Sequence, residues 1–130
     1  MATLPLPTDL YIDGAFVPGE GDAERVLNPA TGELLVALRE ASPEQLHKAV
    51  SAAHRAFDAW SETTPMERSR ALLKLADAIE ARAEDFARLE SLNCGKPYAR
   101  ALGDEIPAVA DCYRFFAGAC RTLAGEYLAG

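Results

Sequence analysis

Two strings fix the ground plan of this chain. Ser42-Pro43-Glu44-Gln45 and Thr64-Pro65-Met66-Glu67 each place a hydroxyl residue at a helix N-cap, proline at the first helical position and Gln or Glu at the third. The hydroxyl accepts from a backbone N–H of the first turn while the longer side chain reaches back to the N-cap N–H, a reciprocal capping box. Proline is pre-set for that first position and loses nothing there. Helices therefore start at 43 and 65, and everything before Ser42 must find another structure.

That preceding stretch reads as strands. Asp13-Gly14 lies between Leu10-Tyr11-Ile12 and Ala15-Phe16-Val17, and an Asp-Gly pair between apolar runs is a strong two-residue hairpin signal. Pro18 to Asp22 is a loop. Arg25-Val26-Leu27 and Glu33 to Leu38 are strand-like and flank the turn-rich Asn28-Pro29-Ala30-Thr31-Gly32. The first helix, about 43–60, carries Leu46, Ala49, Val50, Ala53, Phe57 and Trp60 on one stripe. The second, about 65–92, carries Leu72, Leu75, Ala76, Ile79, Ala83, Phe86 and Leu89, and Cys94-Gly95-Lys96-Pro97 ends it with a glycine stop and a proline. A third, about 104–123, has the stripe Ile106, Val109, Tyr113, Phe116, Ala117, Cys120 and Leu123, with Pro107 in its first turn. The tail from Ala124 to Gly130 reads as the beginning of a strand.

Charge excludes some partners. With a net charge of −7 and basic residues mixed among carboxylates, as in Glu80-Ala81-Arg82-Ala83-Glu84, the chain has no basic stripe for nucleic acid or an anionic membrane. Met1 to Thr8 holds neither a basic patch nor a signal-peptide core, and no apolar run approaches the roughly 18 residues of a membrane span. Cys94, Cys112 and Cys120 form no CxxC, as expected of free thiols in a reducing, cytoplasmic setting.

The sequence holds few residues arranged for chemistry. No GxGxxG, Walker loop, HExxH or GxSxG is present. His47 and His54 share a helix face and read as solvated surface rather than as metal ligands. Cys112 and Cys120 read as small buried hydrophobes, and Cys94 as a structural loop cysteine, since a nucleophilic thiol needs a base or a cationic field and only Lys96 is near in sequence. Asp104 and Glu105 at a helix start suit the positive end of the helix dipole. The sharper reading of Glu105 is a carboxylate that faces a pocket and attracts a cationic substrate group.

Tyr11-Ile12-Asp13-Gly14, Asn28 to Gly32, the Ala49-Val50…Phe57…Trp60 helix, Arg68 to Leu73 and Leu89 to Pro97 stand in the order and spacing of the NAD-dependent aldehyde dehydrogenases. Asp104 to Ala108 followed by Arg114 to Ala119 is similar to the gamma-aminobutyraldehyde dehydrogenases within the betaine aldehyde dehydrogenase group. The resemblance covers residues 10 to 130. It implies an α/β aldehyde dehydrogenase-like fold, of which this segment is an N-terminal β-hairpin region and three helices, an incomplete part of the cofactor-binding domain. Residues 1–9 would be an N-terminal arm, 10–123 the domain portion and 124–130 the start of an oligomerisation hairpin.

The implied function is oxidation of an aminoaldehyde such as 4-aminobutanal to the acid. NAD, the catalytic cysteine, the general-base glutamate and the Rossmann core belong to a downstream region, so no catalytic or cofactor-binding residue is assigned here. Implied partners are the aldehyde, the C-terminal part of the same enzyme and further copies in a homo-oligomer, with no nucleic acid or membrane. In the resemblance Glu105 matches an acid at the substrate entrance that meets the ammonium group, and Ala108 stands where some relatives carry a second acid. A monovalent cation would be held by the backbone carbonyls of Val26 and Leu27 and by Asn93, where a neutral amide replaces the family's carboxylate and weakens the site. The run Leu123-Ala124-Gly125 is shorter than the subfamily pattern. Two other readings stand beside this one, a non-catalytic helical interaction module derived from such a front end and a free-thiol redox or metal protein. A module would close its helix stripes on each other. A front segment would leave them exposed.

Overall fold

The computed structural model describes residues 6–122 and 124–125. It has four short strands, β1 (Leu10–Ile12), β2 (Ala15–Val17), β3 (Ala23–Leu27) and β4 (Leu34–Arg39), then α1 (Pro43–Ser61), α2 (Pro65–Glu80), α3 (Ala83–Cys94), α4 (Tyr98–Arg100) and α5 (Ile106–Ala119). A π-helical turn, Ala101–Glu105, joins α4 to α5. The chain divides into two compact units, Met1–Glu62 with Arg88–Pro97, and Thr63–Ala87 with Tyr98–Gly130. The tail from Glu126 and the stripe residue Leu123 lie outside the described residues.

In the first unit, β1 and β2 pair antiparallel with Tyr11 opposite Phe16, and the two rings sit 5.1 Å apart. Positive φ at both Asp13 and Gly14, 52° and 82°, is the mirror-type turn whose twist matches that of the strands. β3 pairs antiparallel with β4 through the turn at Asn28, where the Asn28 carboxamide oxygen accepts from the Ala30 N–H at 2.9 Å and its carbonyl accepts from Gly32 at 2.7 Å. Val26 faces Val36 and Leu27 faces Leu34, so Leu35 is an extra residue that breaks the ladder.

Both capping boxes form as expected. Gln45 does more than cap. It is buried, its Oε1 accepts from the Ser42 N–H at 3.1 Å and the Glu20 N–H at 3.0 Å, and its Nε2 donates to the Pro18 carbonyl at 2.8 Å. The start of α1 is thereby tied to the loop that precedes β3.

In the second unit α2 packs along α5. The buried residues of the two helices are small, Ser69 and Ala76 on α2 and Ala110 and Ala117 on α5, each pair two turns apart. Small residues at a helix contact let the axes approach closely. Arg114 of α5 clasps Glu80 of α2 through two parallel hydrogen bonds of 2.6 and 2.7 Å and reaches Asp77 at 3.0 Å. Hydrogen bonding from Arg114 holds the Glu80 carboxyl below the usual carboxylate range.

Three expectations about the helices change. The stretch 65–92 is two helices, because the Arg82 N–H turns back to the Ile79 carbonyl in a tighter step at 3.1 Å that ends α2. The third helix begins at Tyr98 rather than 104 and reaches Pro107 through the π turn, in which the Ile106 N–H bonds the Ala101 carbonyl. A proline inside a helix has no N–H to give and its ring collides with the carbonyl one turn back, and the wider turn relieves both. The thiols also differ from their reading as buried hydrophobes, since Cys112 is exposed and Cys120 half-buried.

The large residues of the stripes do not form a core. Leu46, Val50, Phe57 and Trp60 on α1 are 53% to 61% exposed, and Val109 and Phe116 on α5 are exposed too. Among the described residues every buried apolar side chain is an alanine and no large one is fully buried. α1 instead turns Gln45 and Ala52 inward. No described helix is long and apolar enough to cross a membrane.

Candidate functional site

Glu105 closes the π turn and is half-buried, one residue ahead of α5. Because the helix already runs through it, Glu105 does not sit at a free helix start. The dipole explanation for a carboxylate at this position loses its ground, while Ala108, three residues on, is exposed. Asp104 beside it reaches only a loose 4.0 Å contact with Arg100.

In the first unit, Val26 and Asn93 line one cleft of about 210 Å³, together with Leu38, Leu89 and Leu92 among others. Two features bring them together. Gly95 takes a left-handed φ of 76° that turns the chain sharply after α3, and a Cβ on it would stand 3.2 Å from the Pro29 ring. The end of α3 therefore lies against the turn that follows β3. Leu27 stands on the irregular step of the β3–β4 ladder and is 45% exposed. These leucines were not singled out as site residues by their sequence, although Leu89 belongs to the helix stripe.

Cys94 is the last residue of α3. Its Sγ–H lies 3.1 Å from the Glu90 carbonyl and 3.4 Å from the Glu90 carboxylate, and Lys96 holds that carboxylate at 2.7 Å. These bonds, from Lys96 first and Cys94 second, keep the Glu90 carboxyl below its ordinary range. Cys94 thus acts as a hydrogen-bond donor that pins the helix end, which fits its reading as structural. His47 and His54 are exposed, and among the described residues no three His, Cys, Asp or Glu side chains gather to hold a metal ion. The N-termini of α1 and α2, the kind of position that elsewhere cradles a phosphate, are closed by their own capping side chains.

The family profile described as "Aldehyde dehydrogenase family" matches residues 16–130. Betaine aldehyde dehydrogenase of Mesorhizobium japonicum is 40% identical over 117 residues, covering 89% of this chain and 24% of that protein. Acetaldehyde dehydrogenase of Pseudomonas aeruginosa is likewise 40% identical over 117 residues, covering 89% of this chain and 23% of its own length. The NAD⁺ complex of an aldehyde dehydrogenase from Bacillus cereus superposes with a TM-score of 0.89 at 39% identity, over 98% of this chain and 26% of that one. The chain spans about a quarter of the length of the curated relatives it matches. Its short strands followed by helices are the N-terminal part of the cofactor-binding domain in that α/β fold. The chain belongs to the aldehyde dehydrogenase family.

Proposed function

We propose that this chain is the N-terminal portion of an NAD-dependent aldehyde dehydrogenase that oxidises an aminoaldehyde such as 4-aminobutanal to the acid, and that the 130-residue segment alone does not turn over. The observation that carries this is the match of nearly the whole chain to about a quarter of each relative. NAD, held by chain outside these residues, supplies the hydride acceptor. Relatives named for betaine aldehyde and for acetaldehyde are equally similar, so the amine preference rests on Glu105. A half-buried carboxylate gives an ammonium group a partner where water competes less than at an open surface.

The test has two arms. The purified chain, given NAD and 4-aminobutanal, forms no NADH above background, and sustained turnover overturns the reading. Joined in frame to the remaining part of the Mesorhizobium japonicum enzyme, it oxidises 4-aminobutanal, and Glu105→Gln raises KM for that substrate roughly tenfold while leaving butanal unchanged, as expected for a lost ionic contact of about 1.4 kcal/mol. Equal effects on both aldehydes would remove Glu105 from substrate selection.

Val26, Leu27 and Asn93 are the proposed monovalent cation site. Backbone carbonyls tolerate any side chain, and the amide of Asn93 adds an oxygen without charge. What supports the reading is the cleft that Val26 and Asn93 share and the broken strand ladder beside it. Asn93→Asp is expected to make the melting temperature respond more steeply to added KCl or NaCl than in the parent chain, with tetramethylammonium chloride as the ionic-strength control. Identical salt responses in the two proteins would dismiss the site.

A further inference from the structure

The turn of the first hairpin carries a chemical liability that no other aspartate or asparagine of the chain shares. Only Asp13 is followed by glycine. A glycine N–H has no Cβ beside it to hinder an approaching group. Among the described residues, no heavy atom outside the chain neighbours of Gly14 lies within 4 Å of where its Cβ would stand. Asp13 and Gly14 are both exposed, and their positive φ values, 52° and 82°, make them the two central residues of the turn.

One contact restrains the Asp13 carboxyl group. Arg55 on α1 donates from Nη2 to Asp13 Oδ2 at 2.9 Å, across 42 positions of sequence. α1 touches β1 within the same compact unit, so the fold itself brings the guanidinium to the turn. The side-chain carboxyl carbon of an aspartate can close a five-membered ring with the nitrogen of the next residue. To do so it must swing about the Cα–Cβ bond, and an oxygen tethered to Arg55 opposes that swing. The Arg55 and Asp13 side chains are 63% and 66% exposed, so the tether is weak and slows the reaction without forbidding it.

We propose that Asp13 is a site of spontaneous isomerisation to isoaspartate, and that its ion pair with Arg55 sets the rate. The Gly14 nitrogen attacks the Asp13 side-chain carboxyl carbon and a new N–C bond forms. One carboxyl oxygen leaves as water, taking one proton from the amide and one from solvent. Water then opens the succinimide at either carbonyl. Addition at the side-chain carbonyl restores aspartate. Addition at the main-chain carbonyl gives isoaspartate, with no net change of mass. The main chain then runs through the side-chain methylene and is one atom longer, while the α-carboxylate becomes a branch. A two-residue turn that pairs Ile12 with Ala15 cannot take up an extra atom and keep that register. The contact between Tyr11 and Phe16, one step along the ladder, is lost with it.

The experiment incubates the 130-residue chain at neutral pH and body temperature beside Arg55→Ala and Arg55→Lys. Isoaspartate is counted by methyl transfer from S-adenosylmethionine with a purified isoaspartyl methyltransferase. Electron-transfer fragmentation of the tryptic peptide 1–25 locates it. It is expected at Asp13 and not at Asp9 or Asp22 of the same peptide. Arg55→Ala is expected to form it roughly twofold to fivefold faster, the factor that an exposed ion pair can supply. Arg55→Lys, which keeps the cation, is expected to stay near the parent rate. Arg55→Gln gives the same reading where Arg55→Ala loses helical circular dichroism. Absence of isoaspartate at position 13 from the parent and the uncharged variant overturns the proposal, and so do equal rates in the two. NAD-dependent turnover plays no part in the readout, so its outcome is independent of the proposed function.

Discussion

Gln45→Ala is expected to destabilise the chain by about 3 kcal/mol and to release the loop before β3. The carboxamide serves three backbone groups at once, the N–H groups of Glu20 and Ser42 and the carbonyl of Pro18. Each partner left unsatisfied costs about 1–3 kcal/mol, and water entering the vacated space recovers part of the sum. Domains hold only about 5–15 kcal/mol in total, so the loss shows as a large shift in the urea midpoint. Amide exchange at Glu20 and Ser42 should accelerate with it. Gln45→Glu sharpens the test, because a carboxylate still accepts from both N–H groups but has nothing to donate to Pro18. Its cost is expected to be largest at neutral pH and to shrink on acidification, when the protonated acid regains a donor. A Gln45→Ala midpoint within error of the parent would show that the Ser42 hydroxyl cap alone holds the start of α1.

Gly19→Ala is the second large effect, also about 3 kcal/mol, and its cause is collision rather than lost bonding. A Cβ on Gly19 would overlap the Arg39 carbonyl oxygen and stand 2.6 Å from the carbonyl oxygen of Glu40. Those are backbone atoms at the end of β4, which cannot rotate aside, and forced overpacking costs about 1–3 kcal/mol or more. The displaced loop would lose the bond from the Gly21 N–H to the Glu40 carbonyl, 2.8 Å, and that from the Glu40 N–H to the Asp22 carbonyl, 2.9 Å. Gly118→Ala is the matching control. It lies inside α5 with nothing within 4 Å of the added carbon, and is expected to stabilise by about 0.5–1 kcal/mol. Equal melting temperatures for the two variants would contradict the contact geometry at Gly19.

These two residues mark the limit of sequence reading. Gln45 was legible as the third residue of a capping box, and that bond exists. Its other two partners lie 25 and 27 positions back along the chain, at Glu20 and Pro18, and no local pattern announces them. Gly19 reads as an ordinary loop glycine until β4 is placed against it. The candidate site divides the same way. Glu105, Val26, Leu27 and Asn93 were named through the family resemblance. That Val26 and Asn93 share a cleft follows from the turn at Gly95 against Pro29, a contact between segments far apart in the chain.

Local chemistry along the sequence determined the hairpin at Asp13-Gly14, the Asn28 turn and the starts of α1 and α2, because each depends on hydrogen bonds and φ angles within a few residues. It also determined the family, through several strings in register. Tertiary structure alone decided that the stretch 65–92 breaks at Ala81, where no glycine or proline warns of it, and that the helix holding Glu105 begins at Tyr98 and widens to pass Pro107. It decided which face of each helix is covered as well. Periodicity identifies an apolar stripe, but only the presence of a packing partner makes that stripe a core, and on α1 the stripe that the sequence marks most clearly lies open to solvent.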